Sequence, residues 1–194
     1  MSLENTFVKT KILNDLADAI GVYGENSGVK NLLEQMDLNC GAIPEGPFEK
    51  VCDTSSPQEF VTLYAHIAEK RFAFAVTVLL KINPNFLEPV KTFLYNAGSN
   101  YAPENIPTKH HCFSVIDAFV LDGIENENQK ILVTDSESQL IWKNSADTHK
   151  IFWEKVNGSL ENYYILQSEF INGLLSKSKF KFSKSDELFK IEFK

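Results

Sequence analysis

KHHCFSVIDAFVLDGIENENQKILVTDSES, residues 109–138, decides the fold class according to which of its parts are strands. Val115, Ile116, Ala118, Phe119, Val120 and Leu121 are mostly β-branched or aromatic, the residue types that suit a pleated surface. They fall on both parities, so a strand beginning at His111 would be covered on both faces. DGIENENQK is too polar to bury and contains Gly123, which marks a surface loop. Ile131 to Val133 then form a second strand, ended by Thr134-Asp135-Ser136. An antiparallel pair over 111–121 and 130–135 brings Asp135 back beside His111. An aspartate there accepts the Nδ1 proton, fixes the ring tautomer and leaves Nε2 as a base.

The flanking sequence limits the class. At 194 residues the chain reads as a single domain with a real core, helical over about 4–100 and strand-rich over about 108–194. With 43% hydrophobic and 23% charged residues it belongs with folded proteins. A net charge of -7 argues against non-specific nucleic-acid binding, which needs a basic face. No apolar run reaches the ~20 residues of a membrane span, and the first residues hold no secretory h-region. The expectation is a cytoplasmic protein, or one secreted without a classical signal. Cys40, Cys52 and Cys112 are odd in number and none is spaced CxxC, so free thiols are expected. The triplet Asn157-Gly158-Ser159 is discounted as a glycosylation site for the same reason of compartment.

Along the chain, Val8, Ile12, Leu13, Leu16, Ala17 and Ile20 recur at helical spacing over 5–20, and Gly21 and Gly24 end that helix. A second short helix covers 29–36 with Leu32 and Leu33 inward, and 37–55 is loop. Ser56-Pro57-Gln58-Glu59 is a capping-box start to a helix that buries Phe60, Leu63, Tyr64 and Ile67. FAFAVTVLLKI, 72–82, reads as a buried strand, with helix as the rival. Asn83-Pro84 opens a helix over 86–95 with Pro89 in its first turn, and 98–109 is a polar linker. Residues 147–156 form a helix with Ile151, Phe152 and Val156 inward, and 163–170 suit either strand or helix. The tail 176–194 alternates Phe180 and Phe182, then Phe189, Ile191 and Phe193, with polar residues. That is a terminal hairpin with its lysines in water. Helices first and strands last give an α+β class, with N-terminal helices packed on an antiparallel sheet.

One constellation suggests chemistry. Gln35 precedes Cys40-Gly41 in QMDLNCG, after what reads as a loop. A thiol is the best side-chain nucleophile near neutral pH once an imidazolium lowers its pKa, and a glutamine amide can donate to an oxyanion. QMDLNCG, HCFSVIDAF and KILVTDSES, in that order, resemble the glutamine, Cys-Gly, histidine-strand and Asp-ended-strand segments of the papain-like cysteine peptidases, most nearly the bacteriocin-leader peptidases. The resemblance covers about a third of the chain. It implies a papain-like core and a hydrolase acting on a peptide, isopeptide or related acyl bond of a peptide or protein substrate. Cys40 would be the nucleophile, His111 the base, Asp135 its orienter and Gln35 the oxyanion donor. An acyltransferase would need the same residues. The chain departs from the family after Cys40, where Pro44 and Pro47 replace a long helix.

Bland readings stand beside these. A cysteine such as Cys40 is more often an ordinary loop or buried thiol than a nucleophile, with Cys52 as the fallback nucleophile and Cys112 as core. His110 exchanges roles with His111 if the register moves by one. His110-His111-Cys112 on a strand cannot converge on one ion, so no metal is expected. His66 reads as structural, His149 as exposed, Trp142 and Trp153 as core or rim. Without GxGxxG, P-loop or HExxH no cofactor is expected. The alternative to an enzyme is a non-catalytic α+β binding or adaptor domain.

Overall fold

The computed structural model describes residues 2–123 and 130–194. Its helices are α1 (Leu3–Asn26), α2 (Leu32–Cys40), α3 (Phe48–Val51), α4 (Pro57–Ile82), α5 (Leu87–Asn100), α6 (Lys109–Phe119), α7 (Lys150–Lys155) and α8 (Leu160–Leu174). Its strands are β1 (Lys130–Asp135), β2 (Gln139–Asn144), β3 (Phe180–Ser185) and β4 (Leu188–Phe193). The class is α+β, and among the described residues no helix is long and apolar enough to cross a membrane. Two compact units share the chain: one of residues 1–86, 121–125 and 149–160, the other of 87–120, 126–148 and 161–194.

In the first, helical unit, α1 lies along α4 and α2 packs on both. Ser2 caps α1 by accepting from the Asn5 N–H at 3.2 Å. The helix does not stop at Gly21 and Gly24, as their composition suggested, but runs on to Asn26. Both glycines lie beneath α2, where an added Cβ would stand 2.7 Å from Leu33 at Gly21 and 2.6 Å from Leu32 at Gly24. They permit close helix approach rather than ending a helix. Helix α2 starts later than expected and carries Cys40 as its last residue, so that thiol ends a helix instead of following a loop. Gly41, at φ +93°, turns the chain away.

Helix α4 begins at Pro57, as its start signal indicated, though the Ser56 side chain makes no capping bond. It then continues through 72–82, the stretch read as a buried strand. That stretch is apolar all round because the helix is enclosed there: Phe72, Ala73, Ala75, Val76 and Leu79 are all buried. No glycine or proline interrupts 58–83, so nothing breaks the helix. The inward face is also rotated from the expected one. Val61, Ala65 and Ala68 are buried, while Leu63 is 54% exposed.

Helix α7 is shorter than expected and buries Phe152 and Trp153, whereas Ile151 faces water. His149 just before it, read as exposed, is buried. Its Nδ1 lies 3.0 Å from Glu69 Oε1 and its Nε2 3.3 Å from Asp122 Oδ1. A ring nitrogen facing a carboxylate must donate, so this ring carries both protons. Burial alone would discharge it. The Glu69 charge and the hydrogen bonds to Asp122 and Glu69 outweigh burial and hold its pKa at about 10.

The second unit holds the sheet, in the order β1-β2-β4-β3 with every pair antiparallel. The expected strand over 111–121 is helix α6. Thr108 caps it by accepting from the His111 N–H at 3.1 Å, and Cys112, Val115 and Ile116 make a buried i, i+3, i+4 stripe. The histidine strand of the peptidase resemblance is therefore not formed. β1 is a strand, but its hairpin partner is β2, a segment without a forecast. The tail hairpin forms as expected, turning at Asp186 with φ +51°. Leu140, Trp142, Phe180, Phe182, Phe189 and Ile191 are buried, and Trp142 stacks on Phe189 at 5.7 Å. Phe193, expected inward, is 45% exposed. α6 packs on β2 and β4, with Phe113 edge-on to Trp142 at 5.0 Å. At the β3 edge, the Asn172 side chain donates to the Phe182 carbonyl at 3.1 Å and accepts from its N–H at 2.8 Å, imitating a neighbouring strand.

Residues 163–170, left open between strand and helix, belong to α8. α8 crosses α5 at a glycine pair. A Cβ on Gly98 would stand 2.1 Å from the Phe170 carbonyl oxygen, and one on Gly173 2.1 Å from that of Tyr95. Backbone atoms cannot swing aside as side chains do, so Gly98→Ala should cost roughly 1–3 kcal/mol or more. Urea midpoints measure this, and a variant within about 0.5 kcal/mol of the parent would show that the helices separate freely.

The His149 triad makes stability depend on pH. Its folded pKa is raised to about 10 from the ordinary histidine value of about 6.5. Below about pH 6.5 both folded and unfolded chains hold the proton, and the contribution is complete. Between there and about 10 only the folded chain holds it, so the contribution falls as pH rises. His149→Gln should lower stability by roughly 3–5 kcal/mol near neutrality and flatten this alkaline slope. Urea unfolding at pH 6.5, 8 and 9.5 reads both effects, and equal slopes for parent and variant would contradict the triad's role.

Candidate functional site

One face of α4 borders a cavity. Lys70, Phe74, Thr77, Val78 and Lys81 recur at i, i+4, i+7, i+8 and i+11, one stripe of a 3.6-residue helix. Together with Asn39 and Cys40 at the end of α2, and Lys155, Val156 and Asn157 at the end of α7, they line a space of about 330 Å³. That lies at the small end of ligand-site volumes. The Lys81 ammonium donates to the Val156 carbonyl at 3.3 Å. Thr77 is buried, and its hydroxyl has no hydrogen-bond partner among the described residues. Gly158 closes over it, since a Cβ there would meet Thr77 Oγ1 at 2.2 Å.

Cys40 thus lies on a cavity wall, but its electrostatics run against a nucleophile. Burial pushes its thiol above the ordinary value. Lys70 and Arg71 pull it back in part, and Asp37 pushes it further up. The imidazoles of its own unit are engaged elsewhere: His149 with Glu69 and Asp122, His66 against the Phe152 ring at 5.3 Å. Gln35 shares α2 with Cys40, yet its amide donates to the Lys30 carbonyl at 2.8 Å and serves its own helix start. Cys52 follows α3, with its sulfur 3.6 Å from the Asp53 carbonyl. Cys112 is core, as expected, and burial pushes its thiol up to about 11.

His111 and Asp135 belong to the other unit, and they are not partners there. His111 is an exposed first-turn residue of α6. Asp135 takes the Lys109 ammonium at 2.9 Å and the neighbouring His110 Nε2 at 2.8 Å. The hydrogen bonds from Lys109 foremost, then His110, hold its carboxyl below the ordinary value. The Asp–His pair expected from sequence therefore forms with His110, the alternative base, on an exposed surface. The strand unit has a cavity of about 390 Å³ of its own, but Lys143 and Lys184 are matched there by Asp147, Asp186 and Glu187. Lys184 sits 3.8 Å over the Tyr164 ring, whose hydroxyl donates to Asp147 at 2.8 Å. Among the described residues no group of three His, Cys, Asp or Glu is placed to hold a metal ion.

Lys70, Thr77, Lys81 and Lys155 carry the helical-unit cavity, and no motif announces them. Their signal was the α4 stripe, hidden once 72–82 is read as a strand, because period two scatters these residues over both faces. No family model matches the chain, and neither does any curated protein or solved structure.

Proposed function

We propose that the chain is a non-catalytic α+β binding module, with the cavity beside Cys40 as its ligand site. One observation carries this reading: Cys40, the expected nucleophile, lines this cavity with a thiol that burial pushes above its ordinary value. A thiol acyl-transfer site needs the reverse, a thiolate held by a neighbouring imidazolium. Asp135, the intended orienter, is bound to Lys109 and His110. A second reading is cysteine-dependent acyl chemistry on a peptide or related bond, hydrolytic or transferring. It is favoured by Cys40 facing a space large enough for a small acyl group.

Alkylation separates the two. Iodoacetamide reacts with thiolate, so a binding module should leave Cys40 nearly unlabelled at about pH 6, with labelling rising only above about pH 9. His111→Ala and His110→Ala should leave that profile unchanged. Rapid labelling of Cys40 at pH 6 that either substitution abolishes would replace the binding reading with the catalytic one.

A further inference from the structure

We propose that the cavity beside Cys40 binds a small phosphate-bearing anion, held by the ammonium groups of Lys70, Lys81 and Lys155. This rests on the binding-module reading and names the ligand's chemistry. The chain as a whole is acidic, with 26 Asp and Glu against 19 Lys and Arg. The cavity reverses that balance: three lysines line it and no carboxylate does. Positive charge so concentrated against a partly apolar wall attracts anions more strongly than scattered surface lysines do.

A structural explanation covers part of this set. Lys81 and Lys155 stand in the last turns of α4 and α7, where cations offset the helix dipole. It does not cover Lys70, in mid-helix. Asn157 lends an amide to the lining, while the Asn39 amide already donates to the Gln35 carbonyl at 2.7 Å.

The donor set favours phosphate over carboxylate. A flat carboxylate is matched best by the planar fork of arginine, and the chain's sole arginine, Arg71, does not line the cavity. Three point-charge ammonium groups, two on α4 and one on α7, suit a tetrahedral oxyanion, which takes donors from several sides. Phe74, Val78 and Val156 leave an apolar wall for an organic portion.

Calorimetric titration of the full chain with inorganic pyrophosphate, at about 50 mM salt to limit screening, tests this. Saturable one-site binding is expected, weakened about tenfold or more by Lys70→Ala and by Lys155→Ala. Lys177→Ala, on an exposed residue paired with Glu104 in the other unit, should not weaken it. Bound pyrophosphate should also shield Cys40, but not Cys52, from alkylation at about pH 9.5. Thermal melts confirm that each variant is folded, and Lys155→Glu, at an exposed position, supplies a second charge change. No saturable binding, or binding indifferent to Lys70 and Lys155, overturns the proposal. Citrate binding as tightly as pyrophosphate overturns the phosphate assignment. The alkylation profile of Cys40 without any anion judges the binding-module reading separately, so a silent titration beside a protonated Cys40 removes this inference alone.

Discussion

The buried guanidinium of Arg71 holds the helical unit in register. From α4 it donates to Asp18 of α1 at 2.6 Å, to Asp37 of α2, and to the Gly41 carbonyl just past α2 at 2.7 Å. One side chain thereby joins three helices and satisfies an orphan carbonyl at a helix end. Its side chain is 5% exposed, so its charge has left water and depends on those oxygens. Burial opposes the charge, and the hydrogen bonds and charges of Asp18 and Asp37 more than restore it. Lysine could not replace it, since a single ammonium has neither the reach nor the planar fork to meet three separate acceptors. Apolar residues of similar size often pack as well as a buried ion pair, but here they would not fix the angle at which α2 leaves α4.

That angle matters for the cavity. Asp37 and Gly41 bracket Cys40, so the clamp sets where the thiol and Asn39 lie against α4. It also occupies Asp37, the nearest carboxylate that acts on Cys40. With Asp37 turned to Arg71, the lysines of the cavity face no acid on its walls. The His149 triad does similar work elsewhere in the unit, tying Asp122 and the start of α7 to Glu69 of α4. Two clusters of buried charge thus hold α4.

The sequence was most legible where local pattern and tertiary setting agree. The tail hairpin follows from the alternation of Phe180, Phe182, Phe189 and Ile191, because a half-buried sheet imposes period two. The α4 start follows from Ser56-Pro57, since proline suits a first helical turn. It was least legible where enclosure erased the pattern. FAFAVTVLLKI is apolar on every side, and periodicity cannot distinguish a buried strand from an enclosed helix. CFSVIDAFVL held a helical stripe, but its β-branched and aromatic residues carry strand propensity, and tertiary packing overrode it. His149 offered no local signal at all: both of its partners, Glu69 and Asp122, are distant in sequence. The candidate site divided in the same way. An Asp–His pair was foreseeable, one residue out of place, but the lysine cavity depended on reading α4 as a single helix.

Helix α4 explains why the cavity lies where it does. A helix of 26 residues enclosed on all sides would need an apolar coat along its whole length, yet Lys70 and Lys81 interrupt this one. The two lysines, with Thr77 between them, fall on the same stripe, and the helices around α4 leave that stripe to the cavity. Filling the space with larger side chains would be the ordinary way to cover such a stripe, and the local sequence does the opposite. Gly158 closes over Thr77 with no side chain, and Asn157 beside it adopts a left-handed φ of +52° that ends α7 short of the stripe. A side chain at Gly158 would press on Thr77, so the chain crosses this stripe with backbone alone and leaves Lys70 and Lys81 facing the cavity.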